Sequence, residues 1–448
     1  MERRTPALAP VEVPTFFVCP ISLEVMRDPV TLSSGITYDR DSIERWVFTD
    51  GHGDCPVTKL PLGAGDLQEP TPNHTLRRLI QAWCAAHAVE RFPTPRPPVD
   101  ADRVAAIVAG ARRGQQEGVV MAAIRELADI VAESDRNRRC VEAEPCAVEF
   151  LVSVVKKAAS TTKPYLGRGA LDSPDEASSS SPEEAALSLL HSLKLSEESL
   201  KRVMDGGGGD DFLDTLASAL RWPSYWSRTY AIHLLKSTLS ATPPSRLSNA
   251  SAELVEAVVK IVAEMTLSPK AIKVALHIIC RLAPWGRNRI KAVEAGAVPA
   301  LVALLLNEGC GGSGGIAGAG AGACGGGKRT CELAAVAIDH LCGCAEGRLE
   351  LVAHPAGLAV LARAATRLSP TGVESAVRAL HAVARHSATP AVLQEMLAVG
   401  VVARLLYLVQ AGAAGERPRE RAREMLKMHA RVWRASPCLA SHLASYPC

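Results

Sequence analysis

From about residue 102 onward, apolar residues recur along the chain with the period of an α-helix. In segments 252–265 and 272–282 they occupy positions i, i+3 and i+4, which places them on one helix face. No part of this region alternates polar and apolar residues as a half-buried strand does. The pattern therefore predicts a long all-α region built from amphipathic helices.

The helical region repeats itself. The segment RNRRCVEAEPCAVEFLVSVV, which begins at Arg136, is echoed by RNRIKAVEAGAVPALVALLL, which begins at Arg287. Val298, Leu358 and Val402 begin three similar apolar helices, with steps of 60 and 44 residues. Removing a Gly-rich insert of roughly 18 residues brings the first step near 42, within the armadillo and HEAT period of about 40–47. The repeats predict a right-handed solenoid with an extended groove, and an irregular helical bundle is the alternative.

The last predicted helix, residues 420–433, carries an apolar face that we expect to cover the final repeat while its Arg-rich side faces water. Five residues form this predicted face: Met425, Leu426, His429, Val432 and Trp433.

Three stretches interrupt the helical pattern. RFPTPRPP, residues 91–98, cannot continue a helix and predicts a short, stiff linker. The acidic, Ser-rich stretch 171–184 and the Gly-rich stretch 309–327 predict mobile inserts. We therefore divide the chain into a disordered N-terminus, a small domain, a Pro-rich linker, helical repeats and a C-terminal tail: residues 1–12, 13–92, 93–101, 102–435 and 436–448.

The Gly-rich insert contains an incomplete phosphate-binding motif. Gly322, Gly327 and Lys328 satisfy the G-x-x-x-x-G-K part, but Arg329 replaces the required Ser or Thr and no predicted strand precedes it. A plain loop insertion is the better interpretation, and we expect no nucleotide site.

Composition narrows the functional classes. The 50 Lys and Arg residues against 47 Asp and Glu give a net charge of only +3, which argues against nucleic acid and acidic membranes as partners. The longest apolar stretch, 295–306, is shorter than the roughly 18 residues of a membrane span, and no secretory signal begins the chain. The 13 cysteines fit buried thiols in a reducing compartment. We expect a soluble cytoplasmic protein, and the nucleus is the alternative reducing compartment that fits.

The small domain combines short helices with short extended segments. Asp39 or Asp41 can cap a helix that places Ile43, Trp46 and Val47 on one face. Asn73 or Thr75 can begin a second helix, and extended segments are expected near residues 30–32 and 37. For several apolar residues we predict simple core packing: Val30, Leu76, Leu79, Ile80 and Trp83.

Two cysteines open related loops, CPIS at Cys19 and CPVT at Cys55. A zinc-binding RING domain has a Cys-x-x-Cys pair at each such place, whereas Ser22 and Thr58 stand here at the second position. A zinc site needs four suitable ligands, so we expect no metal. Instead we expect polar side chains to crosslink the loops. The predicted network comprises Ser22, Glu24, Asp28, Arg40, Asp41, Thr58 and Asn73.

Residues 13–84 resemble a U-box, the zinc-free relative of the RING domain in ubiquitin ligases. The matching motifs are CPIS (19–22), DPV (28–30), GITYDR (35–40), CPVT (55–58) and TPNHTLRRLIQAWC (71–84). Together with the repeats, they make the chain similar to plant U-box/armadillo ubiquitin ligases of a stress- and immunity-associated subgroup. The resemblance implies a small α+β U-box domain, RING-like but zinc-free, followed by an all-α armadillo-repeat solenoid.

The resemblance also implies a function. The U-box would bind a ubiquitin-conjugating enzyme carrying ubiquitin, without a covalent nucleophile or a cofactor of its own, and the armadillo groove would recruit a protein substrate in stress or defence signalling. It also allows self-association through the U-box. The implied enzyme-binding residues are Ile21, Leu23, Trp46 and Pro56.

Two points stay open at this stage. Lys59 stands where many related ligases carry an arginine that bridges the conjugating enzyme and ubiquitin, and lysine lacks the bidentate fork of arginine. Core packing is the alternative role for Ile21, Trp46 and Pro56. The alternative function for the whole chain is a non-enzymatic armadillo scaffold or adaptor.

Overall fold

A computed structural model of the chain describes residues 13–63, 66, 70–87, 99–114, 116–161, 181–205, 209–309, 324–410 and 415–434. These residues belong to two compact units, Met1–Ala147 and Val148–Cys448. The predicted N-terminal segment 1–12, linker residues 93–98, insert residues 171–180 and 310–323, and tail 436–448 lie outside the described residues.

The first unit begins with a small antiparallel sheet of strand order β2-β1-β3. Val30 of β1 faces Tyr38 of β2, and both side chains are fully buried. Beside them, the hydroxyls of Thr31 and Thr37 hydrogen-bond across the strands at 2.8 Å. The two predicted extended segments are confirmed, and the third strand was not predicted. The strands are β1 (Pro29–Thr31), β2 (Thr37–Asp39) and β3 (Thr71–Pro72).

Helices surround this sheet in the first unit. A 3₁₀ turn, Thr15–Phe17, precedes it, and α1 (Arg40–Glu44) continues directly into a π-helical turn, Arg45–Thr49. The remaining helices are α2 (His74–Ala86), α3 (Ala101–Gly114), α4 (Glu117–Glu133) and α5 (Asp135–Ala143). Helix α6 (Pro145–Thr161) contains the division between the two units.

The two predicted helix starts differ in how they are built. Asn73 caps α2, because its side-chain oxygen accepts a hydrogen bond from the amide of Leu76 at 3.0 Å. Asp39 precedes α1 but does not cap it with its side chain. Its carboxylate instead accepts 2.8 Å hydrogen bonds from the amides of Arg27 and Asp28, so it fixes the chain entering β1.

The predicted burial of Leu79 was wrong, since 51% of this residue is exposed. The buried stripe of α2 contains Ile80 and Cys84, with Leu76 and Trp83 packed partly against the core. The centre of that stripe lies between these four residues, and the helical period places Leu79 at its edge.

The second unit consists of helices that follow one another in groups of three. In each group a short first helix precedes two longer ones. They are α7 (Pro182–Leu193), α8 (Glu197–Asp205), α9 (Gly209–Ala219), α10 (Tyr225–Ala241), α11 (Pro244–Leu247), α12 (Ala252–Glu264), α13 (Pro269–Leu282), α14 (Gly286–Glu294), α15 (Ala297–Gly309), α16 (Cys324–Leu341), α17 (Ala345–Ala353), α18 (Gly357–Arg367), α19 (Pro370–His386), α20 (Pro390–Ala398), α21 (Val401–Gln410), α22 (Glu416–Met428) and α23 (Ala430–Arg434).

Equivalent helices of successive groups pack side by side. The second helices α9, α12, α15, α18 and α21 form one row, and the third helices α7, α10, α13, α16, α19 and α22 form another. Val298, Leu358 and Val402 are each the second residue of a second helix and are buried, as the predicted repeat alignment requires. Each repeat therefore buries its apolar stripes against its neighbours.

Both predicted inserts are shorter than expected. Pro182–Leu193 is helical because Ser181 caps it, accepting a 3.4 Å hydrogen bond from the amide of Glu184, and proline occupies the first helical position. At the Gly-rich insert, Gly309 still belongs to α15 and residues 324–327 begin α16. Each residue added to an existing helix gains one backbone hydrogen bond. The flanking helices therefore continue into the Gly-rich stretch although its sequence favours helix only weakly.

The predicted terminal helix is broken. Helix α22 ends at Met428, His429 bonds through Nε2 to the carbonyl of Ala384 at 2.8 Å, and α23 begins at Ala430. Met425 and Trp433 are buried as predicted, but Val432 is 44% exposed, so its predicted burial was wrong. The break changes the helical phase, and only Trp433 of the last turn points into the core.

No single described helix is both long enough and apolar enough to cross a membrane, although two bent helix pairs, 286–307 and 390–410, reach that length and hydropathy together.

A buried asparagine fastens α14 to the preceding repeat. The side-chain amide of Asn288 donates to the carbonyls of Leu247 at 2.7 Å and Leu282 at 3.1 Å, and its oxygen accepts from the amide of Ala250 at 3.0 Å. Asn137 stands at the corresponding place of the earlier RNR segment and accepts from the amide of Val99 at 3.2 Å. The repeated RNR motif thus contains an asparagine that hydrogen-bonds to the backbone of the preceding segment.

We predict that Asn288→Ala lowers the free energy of unfolding of the repeat region by about 2–4 kcal/mol, because two buried carbonyls and one half-buried amide lose their partner. Denaturant unfolding of the full chain, followed by the helical circular dichroism signal, measures this. The matched variant Asn307→Ala, at an exposed position, should change the midpoint little. Equal midpoints for both variants would contradict the assigned role.

Candidate functional site

The two loops that open with cysteines have the same backbone geometry. The amide of Leu23 donates to the carbonyl of Cys19 at 2.9 Å, and that of Lys59 donates to the carbonyl of Cys55 at the same distance. Leu23 and Lys59 both have a φ of 58°, a conformation that few side chains other than glycine adopt. A bridge closes each loop, Val18 with Val25 and Asp54 with Pro61. We call residues 18–25 the first loop and residues 54–61 the second loop.

This equivalence relates residues 36 positions apart in the sequence. Ile21 in the first loop corresponds to Val57 in the second, and Leu23 corresponds to Lys59. Leu23 is 77% exposed and Val57 is also exposed, while Ile21 is half-buried and partly packs on the core. The loops therefore present apolar side chains to solvent at matching places, and the role of Val57 was not predicted.

The cysteine sulfurs are hydrogen-bonded inside the domain. The amide of Asp39 donates to Sγ of Cys19 at 3.3 Å, and the hydroxyl of Tyr38 lies 3.0 Å from Sγ of Cys55. Ser34 lies 3.5 Å from the latter sulfur, and Thr58 also bonds to it. Both sulfurs thus have protein partners, and no group of three His, Cys, Asp or Glu residues able to hold a metal occurs in the described ranges.

These hydrogen bonds also act on the ionisation of Cys55. Burial favours its neutral thiol, but donors from Ser34, Thr58 and Tyr38 outweigh that effect and lower its pKa to about 6. Burial raises the pKa of Tyr38. Because Cys55 is completely shielded from solvent, no substrate reaches this sulfur even though its thiolate is stabilised.

A carboxylate joins the sheet to both helices of the domain. Asp28 accepts a hydrogen bond from Nε of Arg40 at 2.8 Å and also pairs with Arg77 of α2. Arg40 lies 3.8 Å from Glu44 one helical turn later. The predicted contact of Asp28 with Arg40 is present, whereas the sequence pattern gave no indication of Arg77.

The other members of the predicted network divide into two sets. Thr58 bonds to the Cys55 sulfur, and Asn73 donates to the hydroxyl of Thr31 at 3.2 Å while capping α2. Ser22, Glu24 and Asp41 are exposed and do not form the crosslink that we expected of them. Ser22 accepts only a 3.4 Å bond from the amide of Glu24, a local turn contact that leaves its hydroxyl at the surface.

The crosslinking uses residues that were not predicted. Asp66 accepts a hydrogen bond from the amide of Ser33 at 2.8 Å and one from the amide of Gly63 at 3.2 Å, and these donors hold its pKa below the usual range although burial acts to raise it. The hydroxyl of Tyr38 accepts from the amide of Val57 at 3.3 Å. A single aspartate, or a tyrosine in a short strand, carries no sequence signal for such a role.

Trp46 lies against the second loop. Its indole Nε1 donates to the carbonyl of Asp54 at 2.9 Å, and its ring stacks on His52 at 3.8 Å between centroids. Nζ of Lys59 lies 5.2 Å from the Trp46 ring centroid and 3.5 Å from a carboxylate oxygen of Asp54. The structure therefore brings Trp46 and Lys59 together, with half-buried Pro56 in the same loop.

The helical segment that carries Trp46 also contacts Arg139 of α5. Glu44 is buried, and its carboxylate accepts from the guanidinium of Arg139 in α5 at 3.2 Å. Burial raises the pKa of Glu44, an effect that the charges of Arg139 and Arg40 oppose. The same guanidinium lies 3.6 Å from the ring centroid of Phe48 in the π-helical turn. One arginine of the first repeat thus contacts residues on both sides of Trp46.

Comparisons with known proteins agree with the described elements. The model of the U-box domain matches residues 13–89, and that of the plant U-box protein ARM repeat region matches residues 103–446. The Arabidopsis thaliana protein named E3 ubiquitin-protein ligase PUB23 is 40% identical over 442 residues, 98% of each chain. E3 ubiquitin-protein ligase PUB22 from the same plant is 39% identical over 98% of this chain and 99% of its own.

A designed armadillo repeat protein, YIII(Dq)4CqI, aligns with 62% of this chain and 99% of its own, at 19% identity and a TM-score of 0.40. The two family matches confirm the predicted fold class.

We predict that Asp28→Asn lowers the local stability of the first unit by about 2 kcal/mol, because two partly buried guanidinium groups lose their carboxylate. Hydrogen exchange of the full chain, read from peptides covering β1 and α2, measures the opening free energy. Asp50→Asn, at an exposed position of the same domain, is the matched control. Unchanged protection in the Asp28 variant would show that the network contributes little.

Proposed function

Because this chain belongs to the plant U-box proteins with an ARM repeat region, whose relatives are E3 ubiquitin-protein ligases, we propose that its two cysteine loops bind a ubiquitin-conjugating enzyme carrying ubiquitin. The chain is a ubiquitin transferase of the U-box class. The observation that carries the proposal is the pair of equivalent loops, each of which exposes apolar side chains. Such a surface suits a small, transient interface with a few buried anchors.

The proposed anchors are Ile21 and Leu23 in the first loop, Pro56 in the second, and Trp46 beside it. The exposure of Leu23 leaves it free to contact a partner, whereas Ile21 and Trp46 each have one side on the core. We add Val57, because it is exposed at the place that corresponds to Ile21.

Transfer in this proposal needs no covalent intermediate on the ligase. Cys19, Cys55 and Cys84 are all buried, so their sulfurs are not placed to attack an incoming thioester. The ligase would act by holding the ubiquitin thioester of the conjugating enzyme close to the attacking lysine of the substrate. Fixed orientation of two reactants supplies about 7–11 kcal/mol in favourable cases.

Lys59 is the residue that we propose to orient ubiquitin. Its backbone conformation and its position over Trp46 place an ammonium group at the edge of the proposed enzyme-binding surface. Lysine supplies the positive charge without the planar fork of arginine, so it offers a single contact rather than a bidentate one.

The repeats are proposed to recruit the protein substrate, since their third helices form a continuous row with polar and aromatic side chains exposed along it. The alternative is a scaffold or adaptor in which the U-box only docks a partner. In vitro ubiquitin chain formation with a panel of conjugating enzymes separates the two, because an adaptor would form no chains with any of them.

Three finer statements are proposals from family resemblance. We propose that the ligase acts in plant stress or defence signalling, that it works in the cytoplasm and nucleus, and that copies associate through the U-box. The stress and defence responses of loss-of-function plants test the first statement. The location of a fluorescent fusion tests the second, and the molar mass of the purified chain by light scattering tests the third.

We predict that Ile21→Ala and Pro56→Ala each lower ubiquitin chain formation by tens of fold, because losing one interface anchor costs roughly 2 kcal/mol of binding. Initial rates with the most active conjugating enzyme of the panel measure the effect. Leu79→Ala, which alters an exposed leucine of α2 outside both loops, should keep full activity. Since Ile21 touches the core, the melting temperature of each variant is measured alongside. A folded Ile21→Ala variant with normal rates would disprove the assigned surface.

We also predict that Cys19→Ser, Cys55→Ser and Cys84→Ser lower activity only as far as they lower stability. Trapping reactions run under non-reducing conditions, followed by reduction, detect any ubiquitin thioester on the ligase. A reducible adduct that disappears in one of the three variants would reverse the non-covalent assignment.

A further inference from the structure

The third helices of the second unit expose a row of side chains whose chemistry changes along the repeats. On α10, the exposed or half-exposed positions Trp226, Tyr230, His233 and Lys236 follow the helical period and share one face. On the adjacent α13, Lys270 and Lys273 are likewise accessible. We call these six residues the aromatic–lysine face.

One end of this face is aromatic. Trp226 is 54% exposed and stacks with Tyr230 at 6.3 Å between ring centroids. Tyr225 meets Trp226 edge-on at 5.3 Å, and His191 of α7 lies 4.9 Å from the Tyr230 ring. A half-exposed tryptophan supported by other rings is a rigid platform, and tryptophan is among the residues most enriched at binding hot spots.

The other end is cationic. Within the described part of the chain, Lys236, Lys270 and Lys273 take part in no ion pair. Lys236 and Lys270 are near enough to His233 to lower its pKa, in addition to the larger effect of burial. The positive charge of the face comes from the three lysines.

On the following third helices, several charges are paired with each other. Asp339 of α16 binds Arg378 of α19, and Glu374 of α19 lies 3.4 Å from Arg421 of α22. Glu424 of α22 likewise lies 3.6 Å from Arg385. These acidic groups and arginines compensate one another, whereas Lys236, Lys270 and Lys273 have no ion-pair partner among the described residues.

We propose that the aromatic–lysine face binds an extended acidic segment of the protein substrate, with one apolar or aromatic residue on Trp226 and Tyr230 and carboxylates on the three lysines. This inference rests on the proposed recruitment of substrate by the repeats and specifies its chemistry. The unpaired lysines favour an acidic partner by charge complementarity.

The dimensions of the face fit such a segment. Trp226 and Lys236 are ten residues apart on one helix, which corresponds to about 15 Å. An extended peptide advances about 3.3 Å per residue, so about five residues bridge the aromatic and cationic ends.

Single-stranded nucleic acid is the competing ligand for aromatic and basic side chains, but the surroundings disfavour it. Farther along the same row, the acidic groups Glu374 on α19 and Glu424 on α22 interrupt a continuous basic track. A phosphate backbone requires a longer track of cations than three lysines, because each nucleotide brings its own charge. The few carboxylates of a short acidic peptide can be neutralised by the three lysines alone.

The test measures binding of a fluorescent peptide to the full chain by anisotropy. The probe is about twelve extended residues in which glutamates flank a central Leu-Phe pair. Its matched control replaces every glutamate with glutamine. We expect the glutamate peptide to bind at least about tenfold more tightly, with an affinity that falls as salt rises because the charge contacts are exposed.

Variants locate the site. Trp226→Ala should weaken binding by about thirtyfold, since it removes a hot-spot platform. Combined Lys236→Glu, Lys270→Glu and Lys273→Glu should abolish the preference for glutamate over glutamine. Tyr407→Ala, an exposed aromatic of α21, and Lys427→Glu, an exposed lysine of α22, are the matched controls and should bind normally.

The outcomes separate this inference from the proposed ligase surface. Ile21→Ala should bind the peptide normally while losing chain formation, and Trp226→Ala should keep free chain formation while losing the peptide. Equal binding of the two peptides, unchanged binding by the Trp226 variant, or displacement of the peptide by a short oligothymidine would overturn the inference.

Discussion

The proposed enzyme-binding loops depend on hydrogen bonds to buried cysteine sulfur. A loop that exposes apolar side chains gains little from its own burial, so something inside the domain must hold it. At Cys55 that role belongs to Tyr38, whose hydroxyl contacts the sulfur at 3.0 Å and accepts from the amide of Val57 at 3.3 Å. One phenol thus ties the edge strand β2 to both the start and the middle of the second loop. Because the hydroxyl lies in the core, these contacts are shielded from water and restrict the loop to one geometry.

Polar contacts also hold the helical segment that lies between the two loops in the sequence. Trp46 receives support from the second loop through Asp54, and its helical segment receives support from Arg139 through Glu44 and Phe48. Glu44 is buried, so its charge must be compensated, and Arg139 comes from the first repeat rather than from the small domain. Within the first unit, a buried carboxylate of the small domain is thus paired with an arginine of the first repeat. A domain boundary drawn from proline content alone cannot reveal that pairing.

Features with a period or a motif could be predicted from the sequence. The helical repeats, the alignment of Val298, Leu358 and Val402, and the Asn73 cap all rest on local pattern, and the structure has each of them. The failures have a different character. Leu79 lies at the edge of its stripe, and Val432 follows a helix break imposed by a contact of His429 with the preceding repeat. Arg77 and Arg139 act across the fold, where sequence separation hides the contact. Pattern thus predicts which face of an element is buried, but tertiary contacts decide which polar group compensates a charge.

A ligase without a nucleophile acts by orienting the reactants and by raising the local concentration of the substrate. The second task determines how tightly the repeats need to bind the substrate. A substrate held by the same chain as the loaded conjugating enzyme reacts at an effective concentration in the millimolar range for a short flexible connection. Recruitment therefore needs only moderate affinity, and tight binding would slow release of the modified product. A small face with one aromatic platform and three accessible lysines is suited to that range, because surface charge pairs contribute about 1 kcal/mol or less each. On α16, α19 and α22 several arginines are already paired with acidic groups, so the proposed specificity rests on the combination of the Trp226 and Tyr230 rings with lysines that have no ion-pair partner among the described residues.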